Sequence, residues 1–349
     1  MSGWLIYGAT GYTGRLIARE AVRRGLAPIL AGRSAAAVEA LAKELGLEAR
    51  VLLLDEPENI ARELGNVALV LNCAGPFSQT AEPMVQACLL ARAHYLDITG
   101  EIAVFERIHA LDDRARDAGV VLCSGVGFDV IPTDCVAAML KEQLPNAVQL
   151  SLGFDADLAM SRGTAKTMVE NLADGGKIRK DGRIESVPFG HSRRRIDFGG
   201  GESLAMSLPW GDVATAFYTT GIPNITVYTS ATKGRLRQIG FLNAFRWLFR
   251  SRGVRSFLER RIDAGAAGPS EAVRTSGVTY VWGEAIDGSG ARATIRIKTL
   301  SAYAFTVVGA LGVVQWLLEN PASPGSTTPA RLMGGRFVLD LPGTTLIPN

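Results

Sequence analysis

Three glycines spaced three apart carry the clearest chemical signal in this chain, in the run Gly8-Ala9-Thr10-Gly11-Tyr12-Thr13-Gly14. The run follows the apolar segment WLIY (4–7) directly and precedes a stretch with helical spacing (13–24). Gly8 permits a sharp exit from a strand, Gly11 lets the backbone approach a pyrophosphate, and Gly14 lets helix and strand pack closely. The helix N-terminus then offers unpaired N–H groups and partial positive charge to phosphates. Glycines recur in turns for many reasons, and G-x-x-G-x-x-G departs from G-x-G-x-x-G. The place between strand and helix is what makes this a dinucleotide-binding turn. At the end of the next apolar run, Ala31-Gly32-Arg33-Ser34 stands where an NAD site usually carries an acid for the ribose hydroxyls. A guanidinium and a hydroxyl suit a 2′-phosphate, so the turn reads as a site for NADP(H). Arg33 also reads as a solvent-facing residue with Ser34 as the N-cap of the following helix, and the two roles are compatible. Asp55, after the third apolar run, is placed either to meet the adenine edge or to cap a helix.

A reductase whose product takes up a proton gains from an acid on the protein. The three histidines are poorly placed for it: His94 starts a strand, His109 lies within a helix and His191 sits in the basic run HSRRR. Asp97 and Glu101, around the end of the fifth apolar run, and Asp129, in the loop after the sixth, are better placed. Each has a structural reading as well. Glu101 begins a helix, where a carboxylate complements the dipole, and Asp129 before Pro132 suits a turn. Positioning of substrate or nicotinamide is the preferred role for these carboxylates, with direct catalysis left open. No Tyr-x-x-x-Lys pair occurs near residue 140. Cys73, Cys88, Cys123 and Cys135 lie far apart with no CxxC pair, which disfavours a zinc site and a disulfide scaffold.

The elements that must hold these groups alternate. Runs 4–7, 28–31, 51–54, 67–74, 94–99 and 120–125 read as strands, and 13–24, 34–45, 57–65, 80–92 and 101–118 as helices. That rhythm, with strands apolar throughout, implies an α/β Rossmann domain: a doubly wound parallel sheet buried on both faces. With 349 residues, two domains are expected: a Rossmann NADP-binding domain over 1–130 and an α+β substrate or dimerisation domain over 131–320. From about 147 the rhythm changes. QLSLGFDA reads as a strand and Ser161 as the cap of a helix through Leu172. RRRIDF, TAFYTTG, ITVYTS, VTYVWGEAI and ARATIRIKT read as half-buried strands of a mostly antiparallel sheet. The twenty residues from Thr299 to Leu318 carry no charge, but polar interruptions favour a strand end and a buried helix over a membrane span.

Taken in order, GATGYTG, AGR, NCAGPF (72–77), YLDITGE (95–101) and GFDVIPTD (127–134) resemble the saccharopine dehydrogenase-like oxidoreductases. That family includes saccharopine reductase and bacterial trans-acting enoyl reductases. PGSTTPARLMGGRFVLDLPG (324–343) resembles the family's closing segment. The resemblance implies a Rossmann domain, a mixed α/β substrate domain and a last segment, 321–349, that returns to the first domain. Residues Gly8 to Gly14 and Arg33 would hold the cofactor. Asn72, Ala74, Gly75, Pro76 and Phe77 would follow the fourth strand beside the nicotinamide ribose, with Phe77 either walling the ring or packing under the next helix.

Charge narrows the partners. Lys+Arg 37 against Asp+Glu 34 is too balanced for a nucleic-acid binder. Residues 233–261 concentrate nine Lys/Arg against the single acid Glu259, interleaved with Phe241, Leu242, Phe245, Trp247, Leu248 and Phe249. Four readings stand: a packed helix pair with a solvated basic side, an anionic membrane surface, an acidic carrier or synthase partner, and an acyl-chain site. The opening lacks a basic segment and a cleavage site, so a cytoplasmic location is expected. A homodimer is expected by analogy only. The apolar composition favours an enoyl, imine or carbonyl acceptor of greasy character over a diamino acid. The rivals are a saccharopine-type C–N reductase and a lipid-associated dinucleotide-binding protein without turnover.

Overall fold

The structure, a computed structural model, describes residues 3–156, 160–265 and 268–348, with the side chains of Asn171, Arg250 and Arg252 not described. The outermost ends of the expected first domain and closing segment, 1–2 and 349, thus lie outside the described residues. The first sheet holds β1 (Gly3–Tyr7), β2 (Ile29–Gly32), β3 (Ala49–Val51), β4 (Val67–Asn72), β5 (His94–Asp97) and β6 (Val121–Cys123), all parallel, in the spatial order 3-2-1-4-5-6. The connecting helices are α1 (Tyr12–Arg23), α2 (Ala35–Leu45), α3 (Pro57–Leu64), α4 (Phe77–Ala91), and the pair α5 (Ile102–His109) and α6 (Asp112–Ala118), where the sequence suggested one helix. Alternate strand residues enter two cores. Ile6, Leu69, Leu71 and Leu96 face one side, and Leu5, Tyr7, Val70 and Tyr95 the other. This is a doubly wound Rossmann sheet buried on both faces.

Register sets the geometry of its working edge. Tyr7 pairs with Ala31 and Asn72, and Asn72 pairs with Asp97. The carboxyl ends of β2, β1, β4 and β5 therefore stand in one row. The third strand departs from expectation: it ends at Val51 instead of Leu54, and Leu53 is exposed. Asp55 consequently lies four residues beyond the strand, where it accepts from Asn59 Nδ2 at 3.3 Å, and Glu56 occupies the N-cap of α3.

Helix α7 (Ile131–Gln143) leads into the second sheet. Its elements are β7 (Ala147–Asp155), α8 (Arg162–Asn171), β8 (Gly176–Lys180), β9 (Arg183–Val187), β10 (Arg193–Asp197), β11 (Glu202–Ser207), α9 (Asp212–Thr220), β12 (Asn224–Ser230), α10 (Lys233–Ala244), a 3₁₀ segment (Arg246–Arg250), α11 (Arg252–Asp263), α12 (Glu271–Ser276), β13 (Val278–Asp287) and β14 (Arg292–Leu300). Strands β12 and β7 pair in parallel, and the other pairs are antiparallel. TAFYTTG, expected as a strand, is the body of α9. Threonine and aromatic residues favour strands, but Val213, Ala214, Ala216 and Thr220 bury one helical face, and Gly221, at φ 69°, closes the helix. Packing against α7 overrides local propensity there.

The chain then returns. Helix α13 (Ala302–Glu319), long and apolar enough to cross a bilayer, packs instead against α1 and β4 and buries Val307, Ala310, Leu311, Val313 and Val314. β15 (Gly325–Thr327) extends the first sheet beside β6, α14 (Pro329–Met333) and α15 (Phe337–Asp340) pack on α7, and β16 (Thr345–Ile347) pairs with β14 of the second sheet.

Candidate functional site

The glycine turn follows β1 directly. Gly8 has φ 76°, and a Cβ there would lie 2.8 Å from Ala74 N, so both its backbone and its closeness to the neighbouring loop require glycine. A Cβ on Gly14 would lie 2.3 Å from Gly8 O. Helix α1 thus starts hard against the strand it follows. Its N-cap is Gly11, which has no side chain to satisfy the first N–H groups. Those first N–H groups take no side-chain cap, beside a turn that Gly8 and Gly14 alone allow to pack this closely, as a pyrophosphate site requires. Ala9 and Thr10 form the turn itself, and Arg15 Nε donates to Thr10 O at 2.9 Å. Arg33 emerges exposed at the end of β2, near enough to Tyr7 for its charge to pull against the rise that burial imposes on the phenol. Among the described residues Arg33 makes no ion pair. Ser34 takes the N-cap position of α2 without a side-chain cap bond, so its hydroxyl is unspent. A guanidinium and a hydroxyl beside an uncapped helix start fit an NADP 2′-phosphate and pyrophosphate.

The loop after β4 is fixed from below. Asn72 is fully buried; its Nδ2 donates to Tyr95 OH at 3.2 Å and its Oδ1 accepts from Ala74 N at 3.0 Å. Thr80 Oγ1 donates to Ala74 O, and the Gly75–Pro76 bond is cis. Phe77 opens α4 and is 8% exposed, with its ring in the core beneath that helix.

Two of the three candidate carboxylates have structural work. Asp97, fully buried, accepts from Tyr95 OH, Thr99 N, Ser124 Oγ and Gly125 N, which ties the ends of β5 and β6 together. Glu101 accepts from Phe77 N at 2.8 Å and Ser78 N at 2.9 Å. It therefore caps α4 rather than the helix that follows it. Burial pushes both carboxyls up, against the pull of those hydrogen bonds.

Asp129 differs. It is half-buried in the loop between β6 and α7, its Oδ2 would touch a Cβ on Gly100 at 2.7 Å, and its backbone lies against Gly211. Its carboxyl makes no hydrogen bond among the described residues. Burial alone pushes it up to about 7. Phe128, beside it, is locked by Phe154, Phe305 and a bond from its N–H to Thr306 Oγ1 at 3.1 Å, so the turn carrying Asp129 is rigid. Nearby Asp212 is fully buried, accepts from Thr133 Oγ1 at 2.7 Å and leaves Oδ1 without a partner, with its carboxyl well above the usual range. The carboxyl ends of the strands thus lead into the glycine turn, Arg33 and the 72–77 loop, with Asp55 four residues beyond β3 and Asp129 six residues beyond β6.

Sequence reasoning missed the cover over this edge. Tyr12, in the glycine turn, donates to Pro269 O at 2.7 Å and meets the Tyr303 ring edge-on at 5.2 Å. Tyr303 OH accepts from Ser161 N at 2.6 Å, at the start of α8, and Thr167 of that helix donates to Glu101. Partners 66 to 291 residues apart leave no local pattern to read.

A parallel sheet in this order, with an uncapped helix at a glycine turn and a second sheet domain beside it, defines a Rossmann-type dinucleotide-binding fold. Over residues 4–123 this chain matches the family model of the saccharopine dehydrogenase NADP binding domain, which marks it as NADP(H)-binding. It is 32% identical over 200 residues to a "probable mitochondrial saccharopine dehydrogenase-like oxidoreductase" of Arabidopsis thaliana, covering 50% of this chain and 44% of the relative. A Mus musculus saccharopine dehydrogenase-like oxidoreductase is 30% identical over 202 residues, covering 50% and 47%. A "putative trans-acting enoyl reductase" of Mycobacterium tuberculosis is 34% identical over 139 residues, covering 37% and 33%. The matched stretch spans about half the length of the first two relatives. Apo saccharopine dehydrogenase (L-Glu forming) of Saccharomyces cerevisiae shares the fold, at TM-score 0.62, 13% identity and 94% coverage of each chain.

Proposed function

We propose that this chain is an NADPH-dependent reductase of an apolar acceptor, an enoyl group before an imine or carbonyl, with Asp129 as proton donor. Bound NADPH would supply the hydride. The chain's own part is to hold the dinucleotide across the glycine turn and Arg33, and to present an acid from the β6–α7 loop, beside Gly100. Reduction of a carbon–carbon double bond adds hydride to one carbon and a proton to its neighbour, so one neutral carboxyl balances one turnover, and water restores it. A carboxyl near 7 is half-protonated at neutral pH and suited to that transfer.

The carrying observation is Asp129 itself, half-buried, without a hydrogen-bond partner among the described residues and on a locked turn. Phe105 and Val130 flank the same turn, and no cation acts on its carboxyl. Arg179, on β8, is spent on Glu106, Val213 O and Gly182 O. An amino-acid substrate would need cations there, and this favours a greasy acceptor. Titration with NADPH and NADH, followed by a screen of enoyl, imine and carbonyl acceptors with wild type and Asp129→Asn, tests the reading. It fails if NADPH binds and the Asn variant turns over every accepted substrate at the wild-type rate.

A further inference from the structure

Exposed aromatic side chains have one address in this protein. Among the described residues every exposed phenylalanine, tryptophan or tyrosine falls between 241 and 257: Phe241 at 68%, Phe245 at 39%, Trp247 at 65% and Phe257 at 60%. Helix α10 buries no residue at all. Water-exposed aromatic rings clustered in one segment mark a contact surface.

Charge shares the address. The segment 233–261 holds nine of the chain's 37 basic residues and one of its 34 acids, so the rest of the chain is net acidic. Along α10 the exposed residues Lys233, Arg237, Phe241 and Phe245 follow one another at intervals of four, on one stripe. Cations fill the first turns and paired rings the last, with the Phe241 and Phe245 centroids 4.4 Å apart and the rings tilted by 38°. On α11 the exposed Arg261 guanidinium lies 5.9 Å from the Phe257 ring.

We propose that the helical insert from Lys233 to Asp263 docks on an anionic lipid surface. Its cations match acidic headgroups, and its rings match the interfacial layer just beneath, where tryptophan and phenylalanine reside most favourably. An acidic protein partner would answer the charge but leave four exposed rings, the Phe241–Phe245 pair with Trp247 and Phe257, to be fitted; a fluid interface accepts all of them.

The insert is also joined to the cofactor edge. Lys166 of α8 bridges Asp263 at 2.7 Å, Arg162 donates to Gly265 O, and the chain continues to Pro269, which Tyr12 of the glycine turn holds. Docking there would bring the covered edge close to the membrane, where an apolar acceptor dissolves. The docking stands independently of the reductase reading, because it is read by binding and not by turnover.

The test uses the full chain and vesicles of phosphatidylcholine with 30% phosphatidylglycerol, against phosphatidylcholine alone. Co-sedimentation with the anionic vesicles only is expected, weakened by salt. Trp247 fluorescence should shift to the blue and be quenched by brominated acyl chains, both effects disappearing in Trp247→Phe. Phe241→Ala/Trp247→Ala and Lys233→Glu/Arg237→Glu, all at exposed positions, should each weaken binding at least tenfold without altering NADPH titration. Absence of vesicle binding, binding indifferent to both double variants, or retention by an acidic carrier protein alone would overturn the proposal.

Discussion

Replacing Asp129 by asparagine keeps the shape of the side chain and removes its titration. In the fold, burial holds this carboxyl at about 7 against an ordinary 3.8. Roughly three pKa units at 1.36 kcal/mol each correspond to about 4 kcal/mol. The folded pKa is the raised one, so the folded state binds more protons than the unfolded state between pH 4 and 7. The group's contribution to stability is therefore fully present below pH 4 and lost as pH rises through 7. Wild type should lose up to about 4 kcal/mol over that window through this residue, and Asp129→Asn should lose none of it. Urea denaturation of both proteins at pH 5 and pH 8 measures the difference. Other buried carboxyls also titrate and cancel between the two proteins, except Asp212, on which the Asp129 charge acts; its change is separated by repeating the pair of measurements in the Asp212→Asn background. In turnover, the neutral acid is the active form, so kcat/KM should fall tenfold per pH unit above about 7, and the Asn variant should be slower by about 10²–10⁴. Its NADPH affinity should be unchanged. An Asn variant with the wild-type difference in stability between pH 5 and pH 8 would refute the burial argument. An Asn variant with wild-type turnover would refute the proton-donor role.

Arg33→Ala should weaken NADPH binding by about 1.5–3 kcal/mol, the scale of hydrogen bonds to a charged group, and leave NADH binding nearly untouched in the same calorimetric titration. Gly14→Ala pushes a methyl to 2.3 Å from Gly8 O, and thermal unfolding should show a loss of about 1–3 kcal/mol together with loss of dinucleotide binding. Glu101→Ala removes the acceptor of two α4 N–H groups and should cost about 1–3 kcal/mol by urea denaturation. Asp212→Asn, at a fully buried carboxyl raised well above its ordinary range, should make the protein more stable than wild type above neutral pH and not below pH 4. Equal effects on both sides would show that the site does not titrate.

The parallel sheet was legible because burial on both faces leaves strands apolar throughout, and the glycine turn because each glycine answers a separate steric demand. Where one local preference met a stronger tertiary one, the reading slipped: α9 carries strand-forming residues but is packed as a helix on α7. The carboxylates show a different limit. Asp97, Glu101 and Asp129 are alike in sequence, each polar and each near a strand end. What separates them is where the neighbouring donors point, and those donors come from β6, α4 and α8 at distances the chain does not encode locally. Asp97 and Glu101 are saturated by four and three hydrogen bonds and hold the edge in register. Their saturation is what makes the unpartnered carboxyl of Asp129 informative: on an edge where buried acids are otherwise given hydrogen bonds, the half-buried one without any among the described residues is the one on which the proton-donor proposal rests.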